Sequence, residues 1–254
     1  MSYLVNAVTD IGNVKQTNQD SFFSIVANTA WGEMAFAVIC DGMGGLQKGE
    51  VASNSVSLAF ERWAKDFFRK LSAGSLLEVL KREWTLLAES YNRKIMEYGL
   101  GENIKLGTTL TVVLLHNNRY YLLNVGDTRC YLLHENLFLL THDHTLVQRE
   151  MDQGILTPEQ AHVDPRRNVL LQCVGASERL LPDFYTGEYL PGDAFLLCSD
   201  GFRHEISEDE IYQILVPDQI ISEEVMGERL RYLVDMVKSR QEKDNITALM
   251  IKAE

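Results

Sequence analysis

Apolar residues recur at three- and four-residue steps in two long segments of the first half of the chain. The positions are Ala52, Val56, Phe60, Trp63, Phe67 and Leu71 in the first segment, and Leu77, Leu80, Trp84, Leu87, Tyr91, Ile95 and Tyr98 in the second. This period predicts two amphipathic α-helices, each with one face to bury. Gly74 and Ser75 lie between them and predict a turn with a helix cap. A third helical pattern near the C-terminus runs through Val225, Leu230, Leu233, Val234 and Val237.

Short apolar runs that are typical of β-strands occupy most of the remaining sequence. They are Tyr3–Val8, Ser21–Ala27, Met34–Cys40, Thr109–His116, Tyr120–Val125, Cys130–Leu133, Phe138–Leu140, Ala194–Cys198 and Ile246–Ile251. Asn117 and Asn118 separate two of these runs and predict a hairpin turn. Because the strands follow one another and do not alternate strictly with helices, their order favours an α+β fold with mainly antiparallel sheets.

The domain organisation is interpreted as a single domain over residues 1–254. The sequence contains no Pro/Gly/Ser-rich linker, tandem repeat or low-complexity tract, and this length fits one large domain. The least regular region runs from Thr145 to Arg167. Its pattern predicts a surface flap that carries one short helix.

Charge and hydropathy narrow the classes of function. The chain has 36 acidic and 24 basic residues, which gives a formal net charge of −12. This balance argues against binding to nucleic acid and to anionic membranes, because both depend on Lys and Arg. No apolar stretch reaches the ~18–20 residues of a membrane helix, and Met1–Asp10 lacks the features of a signal peptide.

The four cysteines, Cys40, Cys130, Cys173 and Cys198, form no Cys-x-x-Cys pair. The spacing therefore argues against a zinc or redox motif. Three of them lie in apolar strand-like runs, where a free cysteine behaves as a small hydrophobic residue. This usage fits a protein of the reducing cytoplasm.

Five aspartates share one setting, because each lies beside a strand-like run and next to small or polar residues. They are Asp20, Asp41, Asp127, Asp200 and Asp244. An ionised carboxylate at the end of a buried strand is costly unless it is paired or bound to a metal. The sequence offers no matching set of basic partners, whereas Mg²⁺ and Mn²⁺ prefer oxygen ligands. Gly42, Gly44 and Gly45 follow Asp41 and would let the backbone approach a metal or phosphate closely.

A turn is the alternative interpretation of each of these aspartates taken alone, since Asp-Gly is a common turn dipeptide. The order of the segments along the chain carries more information than any one of them. The segments are Thr9-Asp10-Ile11-Gly12, Asn18-Gln19-Asp20, Asp41-Gly42-Met43-Gly44-Gly45, Gly107-Thr108-Thr109, Gly126-Asp127-Thr128-Arg129, Leu140-Thr141-His142-Asp143-His144, Ser199-Asp200-Gly201 and Asp244-Asn245.

This ordered set resembles the PPM family, the metal-dependent protein serine/threonine phosphatases also called type 2C, and most closely their bacterial branch. The resemblance covers nearly the whole chain, from Thr9 to Thr247. It implies a sandwich of two antiparallel β-sheets flanked by pairs of α-helices, in which Thr145–Arg167 is the variable flap. It also implies hydrolysis of phosphoserine and phosphothreonine by attack of a metal-bridging water, without a phosphoenzyme.

By the same resemblance, the site holds two Mn²⁺ or Mg²⁺ ions, with a third ion in some members. Asp41, Asp200 and Asp244 are the expected catalytic residues. The expected metal ligands are Asp20, through water, Asp41 as the bridging ligand, Gly42 through its carbonyl group, Asp200, Asp244, and Asp127 at the third ion. The implied partners are phosphorylated proteins and a bacterial Ser/Thr kinase that the enzyme opposes, and the implied state is a monomer.

Three residues depart from the family pattern. Lys15 stands where an Arg often grips the substrate phosphate, and a Lys supplies the charge without the two-pronged contact. Gln19 replaces a common acidic residue, and Met43 replaces a His of some eukaryotic members. Lys15 and Gln19 leave open a module that binds phosphoproteins without hydrolysing them. A phosphatase for small phosphate esters also stays open, because the ligand set specifies the chemistry and not the substrate.

The remaining polar candidates have competing interpretations. His142 and His144 are either a metal pair or part of a structural corner, with the corner favoured. For His204 a surface loop is favoured over the site. Arg129 is expected either to support Asp127 by a charge-assisted hydrogen bond or to lie at the surface. The pair Arg166 and Arg167 is interpreted as solvated charge in preference to a phosphopeptide contact.

Overall fold

The computed structural model describes residues 2–43, 48–70 and 76–254. The β-strands are β1 Tyr3–Asp10, β2 Asp20–Thr29, β3 Gly32–Met43, β4 Gly107–Thr108, β5 Leu110–His116, β6 Arg119–Val125, β7 Arg129–Leu133, β8 Leu137–Leu139, β9 Asp183–Glu188, β10 Ala194–Cys198 and β11 Ile246–Ala253. The α-helices are α1 Gly49–Lys70, α2 Leu76–Glu102, α3 Leu146–Asp152, α4 Pro158–Val163, α5 Asp200–Arg203, α6 Glu208–Ile214 and α7 Glu223–Ser239.

The strands form two antiparallel sheets. In the first sheet the order is β1-β11-β10-β7-β8, and in the second it is β2-β3-β5-β6-β9, with β4 paired to the end of β3. Every pairing is antiparallel, as between Asp20 of β2 and Asp41 of β3. The strand β3 alternates between two apolar faces: Phe36 and Val38 point to the helix side, and Ala35 and Ala37 point to the other sheet. A strand buried on both faces requires a layer on each side.

The core has three layers of buried side chains. One lies between the second sheet and the helix pair α1 and α2, around Phe36 and Trp84. Another lies between the two sheets, around Ile39 and Phe195. The third lies between the first sheet and the helices α5 to α7, around Leu230. The sandwich flanked by helices, which the sequence predicts, is therefore confirmed, and helix α1 has the predicted apolar face.

The secondary structure differs from the sequence-based expectation in the flap, in strand β9, and in helices α5 and α6, which were not predicted. The region 145–167 carries two short helices, α3 and α4, so the prediction of one is wrong. Helix α4 begins at a capping box between Thr157 and Gln160, with Pro158 in its first turn, and this pattern was available in the sequence. Strand β9, an edge strand that pairs with β6, was not predicted, because its only apolar residues are the neighbours Phe184 and Tyr185, which pack against different core layers.

Three predicted positions, Leu71, Gly74 and Ser75, lie outside the described residues, as do Gly44 and Gly45. In the described part of the chain, no helix combines the length and the apolar character that crossing a bilayer requires.

Candidate metal centre

A cavity of about 200 Å³ lies where the ends of several strands meet. Its lining includes four of the five candidate aspartates, Asp41, Asp127, Asp200 and Asp244. Further lining residues are Lys15, Gln19, Gly42, Met43, Thr109, Asn168 and Leu170. The fold thus brings together side chains that are separated by up to 229 residues in the sequence, from Lys15 to Asp244. We call this cavity the acidic pocket.

The backbone around Asp41 is fixed by two neighbouring threonines. The amide of Asp41 donates to Thr109 Oγ1 at 2.8 Å, and Thr108 Oγ1 donates to the Asp41 carbonyl oxygen at 2.9 Å. The amide of Gly42 donates to the Gln19 carbonyl oxygen at 3.0 Å. A Cβ atom at position 42 would fall on the carbonyl groups of Gly49 and Gln19. Only a glycine therefore allows the chain to pass between them and into the pocket.

Asp20 lies behind the acidic pocket and is buried. Its Oδ2 accepts hydrogen bonds from Ser199 Oγ at 2.9 Å and from Thr247 Oγ1 at 2.6 Å. Its Oδ1 is also buried and has no hydrogen-bond partner in the described part of the chain. Burial, which outweighs these two hydrogen bonds, raises the pKa of Asp20 to about 7. Asp20 therefore links the ends of neighbouring strands through Oδ2, while Oδ1 accepts no hydrogen bond from a described residue.

Asp200 and Asp244 approach each other through a close backbone contact. Asp200 begins the short helix α5, and a Cβ atom on the next residue, Gly201, would fall on the carbonyl oxygen of Asn245. The Oδ1 atom of Asp200 is buried and is not hydrogen-bonded to any described residue. Asp244 lies just before β11, and Lys15 Nζ contacts its Oδ1 at 2.6 Å. Burial lowers the pKa of Lys15, but the hydrogen bond to Asp244 and the charges of Asp244, Asp41 and Asp200 together outweigh it, and the net shift is upward.

Asp127 also lines the pocket and directly follows Gly126, whose φ of 103° places it in the left-handed region. Its nearest cation is Arg203, whose Nη2 lies 3.8 Å from Asp127 Oδ2 and donates to the Asp127 carbonyl oxygen at 3.1 Å. Burial raises the pKa of Asp127 to about 7, and the neighbouring carboxylate of Asp200 raises it as well. Arg203 therefore neutralises the negative charge of the Asp127 carboxylate only in part.

The charges of the pocket are unbalanced. Burial raises the pKa of Asp41 well above its ordinary value, and four neighbouring carboxylates raise it further. They belong to Asp20, Asp200, Asp127 and Asp244. Across residues 2–43, 48–70 and 76–254, no three Asp, Glu, His or Cys side chains already have the mutual arrangement of a finished metal site. The donor chemistry nevertheless fits a hard divalent cation, because buried carboxylate oxygens without partners are the ligands that Mg²⁺ and Mn²⁺ prefer.

Two interpretations of nearby residues prove wrong. His204 is not a surface-loop residue: its side chain is 9% exposed and lies between Asp200, with Nε2 3.8 Å from Oδ2, and Glu242, with Nδ1 3.6 Å from Oε2. Arg129 does not support Asp127. It forms a two-pronged contact with Asp143, from Nε to Oδ1 at 3.0 Å and from Nη2 to Oδ2 at 2.8 Å.

Arg203 and Glu242 lie near the site and contact its residues, but the sequence analysis did not identify them. Glu242 Oε1 accepts from the amides of Lys243 and Asp244 at 2.6 and 2.9 Å, so it shapes the loop that carries Asp244. A signal existed for Arg203, because it follows Asp200 by three residues and so lies on the same helical turn. The sequence holds no comparable signal for Glu242, which acts through backbone amides.

The remaining polar candidates have structural partners. His144 Nε2 lies 3.0 Å from Asp183 Oδ2, and His142 Nε2 lies 3.2 Å from Asp152 Oδ1, which agrees with the structural-corner interpretation. Gln19 Nε2 donates to Glu50 at 3.3 Å. Arg166 forms ion pairs with Glu150 and Asp164 at 2.7 and 2.8 Å.

Comparisons with known proteins agree with this geometry. A family model described as protein phosphatase 2C matches residues 13–249, which include every candidate site residue from Lys15 to Asp244. The protein phosphatase PhpP of Streptococcus pneumoniae is 32% identical over 251 residues, covering 97% of this chain and 96% of that protein. The serine/threonine phosphatase of S. agalactiae is 28% identical with a TM-score of 0.84, and both chains are covered in full. The catalytic domain of the serine/threonine protein phosphatase PstP, solved in complex with two manganese ions, is 29% identical with a TM-score of 0.78 over 99% of each chain.

Proposed function

The chain belongs to the protein phosphatase 2C family, and from this premise we propose that it removes phosphate from phosphoserine and phosphothreonine in proteins. It is a metal-dependent protein serine/threonine phosphatase. The observation that carries the proposal for this chain's own site is the acidic pocket, in which clustered aspartates have raised pKa values and unused oxygens. Carboxylates with strongly shifted pKa values that cluster in a cleft are typical of functional sites.

The proposed metal ligands are the six residues that the sequence indicates. They are Asp20 (through water), Asp41, Gly42 (through its carbonyl oxygen), Asp127, Asp200 and Asp244. Their chemistry suits two Mn²⁺ or Mg²⁺ ions, with Asp127 available to a third. Support comes from the buried Oδ1 atoms of Asp20 and Asp200, since a buried carboxylate oxygen without a partner is costly.

The proposed mechanism divides the work between the metals and the protein. When bound, the ions would lower the pKa of the attacking water and neutralise charge on the phosphoryl group. Asp41, Asp200 and Asp244 would hold them, and the threonine hydrogen bonds to the Asp41 backbone would fix its direction. The ammonium of Lys15, at the pocket wall and 38% exposed, would contact the phosphoryl oxygens of the substrate. Its present partner is Asp244, so substrate and carboxylate share one cation.

We further propose one catalytic domain over residues 1–254 with a flap at 145–167, acting as a monomer. Its substrates would be phosphoproteins, including a Ser/Thr kinase and the targets of that kinase. Support for a cytoplasmic location comes from the four cysteines, which are all free and buried, as in proteins of reducing compartments.

Hydrolysis of a phosphothreonine peptide by the metal-stripped protein, with and without added Mn²⁺ or Mg²⁺, tests the function. We expect phosphate release only after metal is added. A protein that binds the peptide but releases no phosphate with either metal would instead be the non-hydrolysing phosphoprotein module. Release from a small phosphate ester but from no phosphopeptide would favour the third alternative.

A further inference from the structure

Glu242 is a buried carboxylate that lies next to the acidic pocket without lining it. Its side chain is 6% exposed, and its Oε2 has no hydrogen-bond partner in the described part of the chain. A buried carboxylate oxygen without a partner is costly. Because Glu242 is not among the six proposed metal ligands, its burial at this point indicates a role toward the residues around it.

The other oxygen of Glu242 orders the loop that carries Asp244. Glu242 Oε1 accepts hydrogen bonds from the amides of Lys243 and Asp244 at 2.6 and 2.9 Å. The same loop is tightly packed, since a Cβ atom on Gly12 would fall on the Asp244 carbonyl oxygen. The backbone of Asp244 is therefore held both by a side-chain carboxylate and by a close backbone contact.

His204 connects Glu242 to the segment that carries Asp200. It follows Asp200 by four residues, about one helical turn, and its amide donates to the Asp200 carbonyl oxygen at 3.1 Å. Its Nδ1 lies 3.6 Å from Glu242 Oε2, and its Nε2 lies 3.8 Å from Asp200 Oδ2. Among the described residues, no other cationic side chain comes within ion-pair distance of Glu242. One imidazole ring, with a nitrogen toward each side, thus stands between two carboxylates.

These contacts form a path between two proposed ligands that belong to different segments of the chain. Asp200 and Asp244 both line the acidic pocket, where like charges oppose their approach. The path runs behind the pocket, from the amide of Asp244 through Glu242 and His204 to Oδ2 of Asp200. It leaves Oδ1 of Asp200 without a partner among the described residues. The two carboxylates are therefore held from outside, while an oxygen stays available for a cation.

We propose that Glu242 and His204 are positioning residues that hold Asp200 and Asp244 at a fixed spacing, so that a Mn²⁺ or Mg²⁺ ion meets both carboxylates already in place. The inference rests on the proposed function, because it concerns the ligands of the proposed metal centre. Side chains that orient metal ligands typically raise the affinity for the metal about 10- to 100-fold. Neither residue has to touch the ion or the substrate to have this effect.

The test measures the Mn²⁺ affinity of the metal-stripped protein, from the EPR signal of free Mn²⁺ during a titration. We expect Glu242→Gln to weaken Mn²⁺ binding about 10- to 100-fold. A glutamine keeps an oxygen that can accept from both amides, so this variant removes only the charge that faces His204. In hydrolysis of a phosphothreonine peptide, the Mn²⁺ concentration that gives half the maximal rate should rise by the same factor, while kcat at saturating Mn²⁺ changes far less.

A double-mutant cycle tests whether the two residues act as one unit. His204→Asn keeps a polar side chain that is too short to reach both carboxylates, and we expect it to weaken Mn²⁺ binding as well. The double variant should then bind Mn²⁺ no more weakly than the weaker of the two single variants. Losses that multiply in the double variant would show that Glu242 and His204 act independently, and they would overturn the proposed path.

Glu210→Gln is the matched control, because it removes the same charge from a glutamate in a similar setting. Glu210 accepts from the amide of Ser207 at 2.9 Å and from Arg240 Nη1 at 2.9 Å, but neither it nor these partners line the acidic pocket. We expect it to keep the wild-type Mn²⁺ affinity. An equal loss in this control would overturn the proposal. So would an unchanged Mn²⁺ affinity in Glu242→Gln, and a lowered metal-free Tm in that case would make Glu242 a purely structural residue.

Failure of the proposed function would give a different result. A wild-type protein that binds Mn²⁺ but releases no phosphate from any phosphopeptide would contradict the proposed function. The ratio of Mn²⁺ affinities between the wild type and Glu242→Gln would still decide the positioning role, because it is measured without substrate.

Discussion

Asp127 and Asp143 are both buried and both face Arg203, yet their carboxyl groups have opposite pKa shifts. Arg203 Nη2 lies 3.8 Å from Asp127 Oδ2 and 3.4 Å from Asp143 Oδ2. For Asp143, burial raises the pKa, but Arg203 and Arg129 outweigh it and the net shift is downward. For Asp127, burial and the carboxylate of Asp200 prevail, and the pKa rises to about 7. The difference comes from the second arginine, Arg129, beside Asp143 and from the carboxylate of Asp200 beside Asp127.

This contrast separates the two uses of a buried aspartate. A carboxylate that the fold needs for its own stability is supplied with cations, as Asp143 is. A carboxylate that is proposed to bind a metal ion has other carboxylates as neighbours, as Asp41 has. The rest of the fold holds these groups together against their repulsion, and a bound cation would relieve it. Substituting an aspartate on each side should therefore have effects of different kinds.

Replacement of Asp41 in the acidic pocket should have the largest effect on activity and should not lower the stability of the metal-free protein. We expect Asp41→Asn to lower kcat/KM for a phosphopeptide by roughly 10²- to 10³-fold. The reason is that the metal ions proposed to stabilise the developing charge would lose one of their carboxylate ligands. Without metal, its Tm should be at least that of the wild type, since a repelled buried carboxyl has gone. Phosphate release and thermal unfolding measure the two effects.

Asp10→Asn is the control for this substitution. Asp10 also ends a strand, but it is paired with Lys238 at 2.9 Å and accepts from the amide of Gly12. Full activity in this variant is expected. Full activity in Asp41→Asn, or a metal-free Tm well below that of the wild type, would remove Asp41 from the proposed ligands.

The order of strands and helices in the sequence predicted an α+β fold with mainly antiparallel sheets, and the resemblance to the PPM family implied the layers of the sandwich. The apolar stripe of α1 follows directly from the three- and four-residue spacing of its apolar residues. The apolar pattern was insufficient for β9 because the strand Asp183–Glu188 has only two adjacent apolar residues, Phe184 and Tyr185, and no alternation beyond them. The second flap helix was missed although its capping box and Pro158 were readable.

At the candidate site, the sequence indicated which aspartates lie close together, but not which cations pair with their carboxylates. The ordered motifs identify Asp41, Asp127 and Asp200, and the structure lines one pocket with all three. The interpretation that Arg129 supports Asp127 was wrong. Proximity along the chain favours Asp127, whereas strand β7 places the guanidinium group against Asp143. Charge partners are set by packing between elements, and no local pattern reports them.

Replacement of Asp143 should have the largest effect on stability. We expect Asp143→Asn to lower the free energy of unfolding by about 3 kcal/mol, because two buried guanidinium groups lose the carboxylate that they share. Urea denaturation at neutral pH measures the change. An effect near zero would mean that solvent reaches these arginines, and it would weaken the contrast with the acidic pocket.

The pH dependence of the same variant provides a check on its cause. The folded-state pKa of Asp143 is lowered below the unfolded value of 3.8. Its contribution to stability is therefore fully present above pH 3.8 and is lost as the pH falls through the folded-state pKa. The difference between wild type and Asp143→Asn should narrow below pH 3.8. A difference that stays constant there would indicate lost packing and not lost charge.

The smallest effect is expected at Lys15, the cation that the acidic pocket does contain. Its single ammonium contacts Asp244 at 2.6 Å, whereas an arginine would present a planar fork to phosphoryl oxygens. We expect Lys15→Arg to lower KM for a phosphopeptide about two- to fivefold while kcat changes less. Lys15→Gln should raise KM, which makes it the opposing control in the same steady-state assay. If neither variant changes KM, Lys15 serves only to compensate Asp244, and this carboxylate then belongs with Asp143 among the structurally paired aspartates.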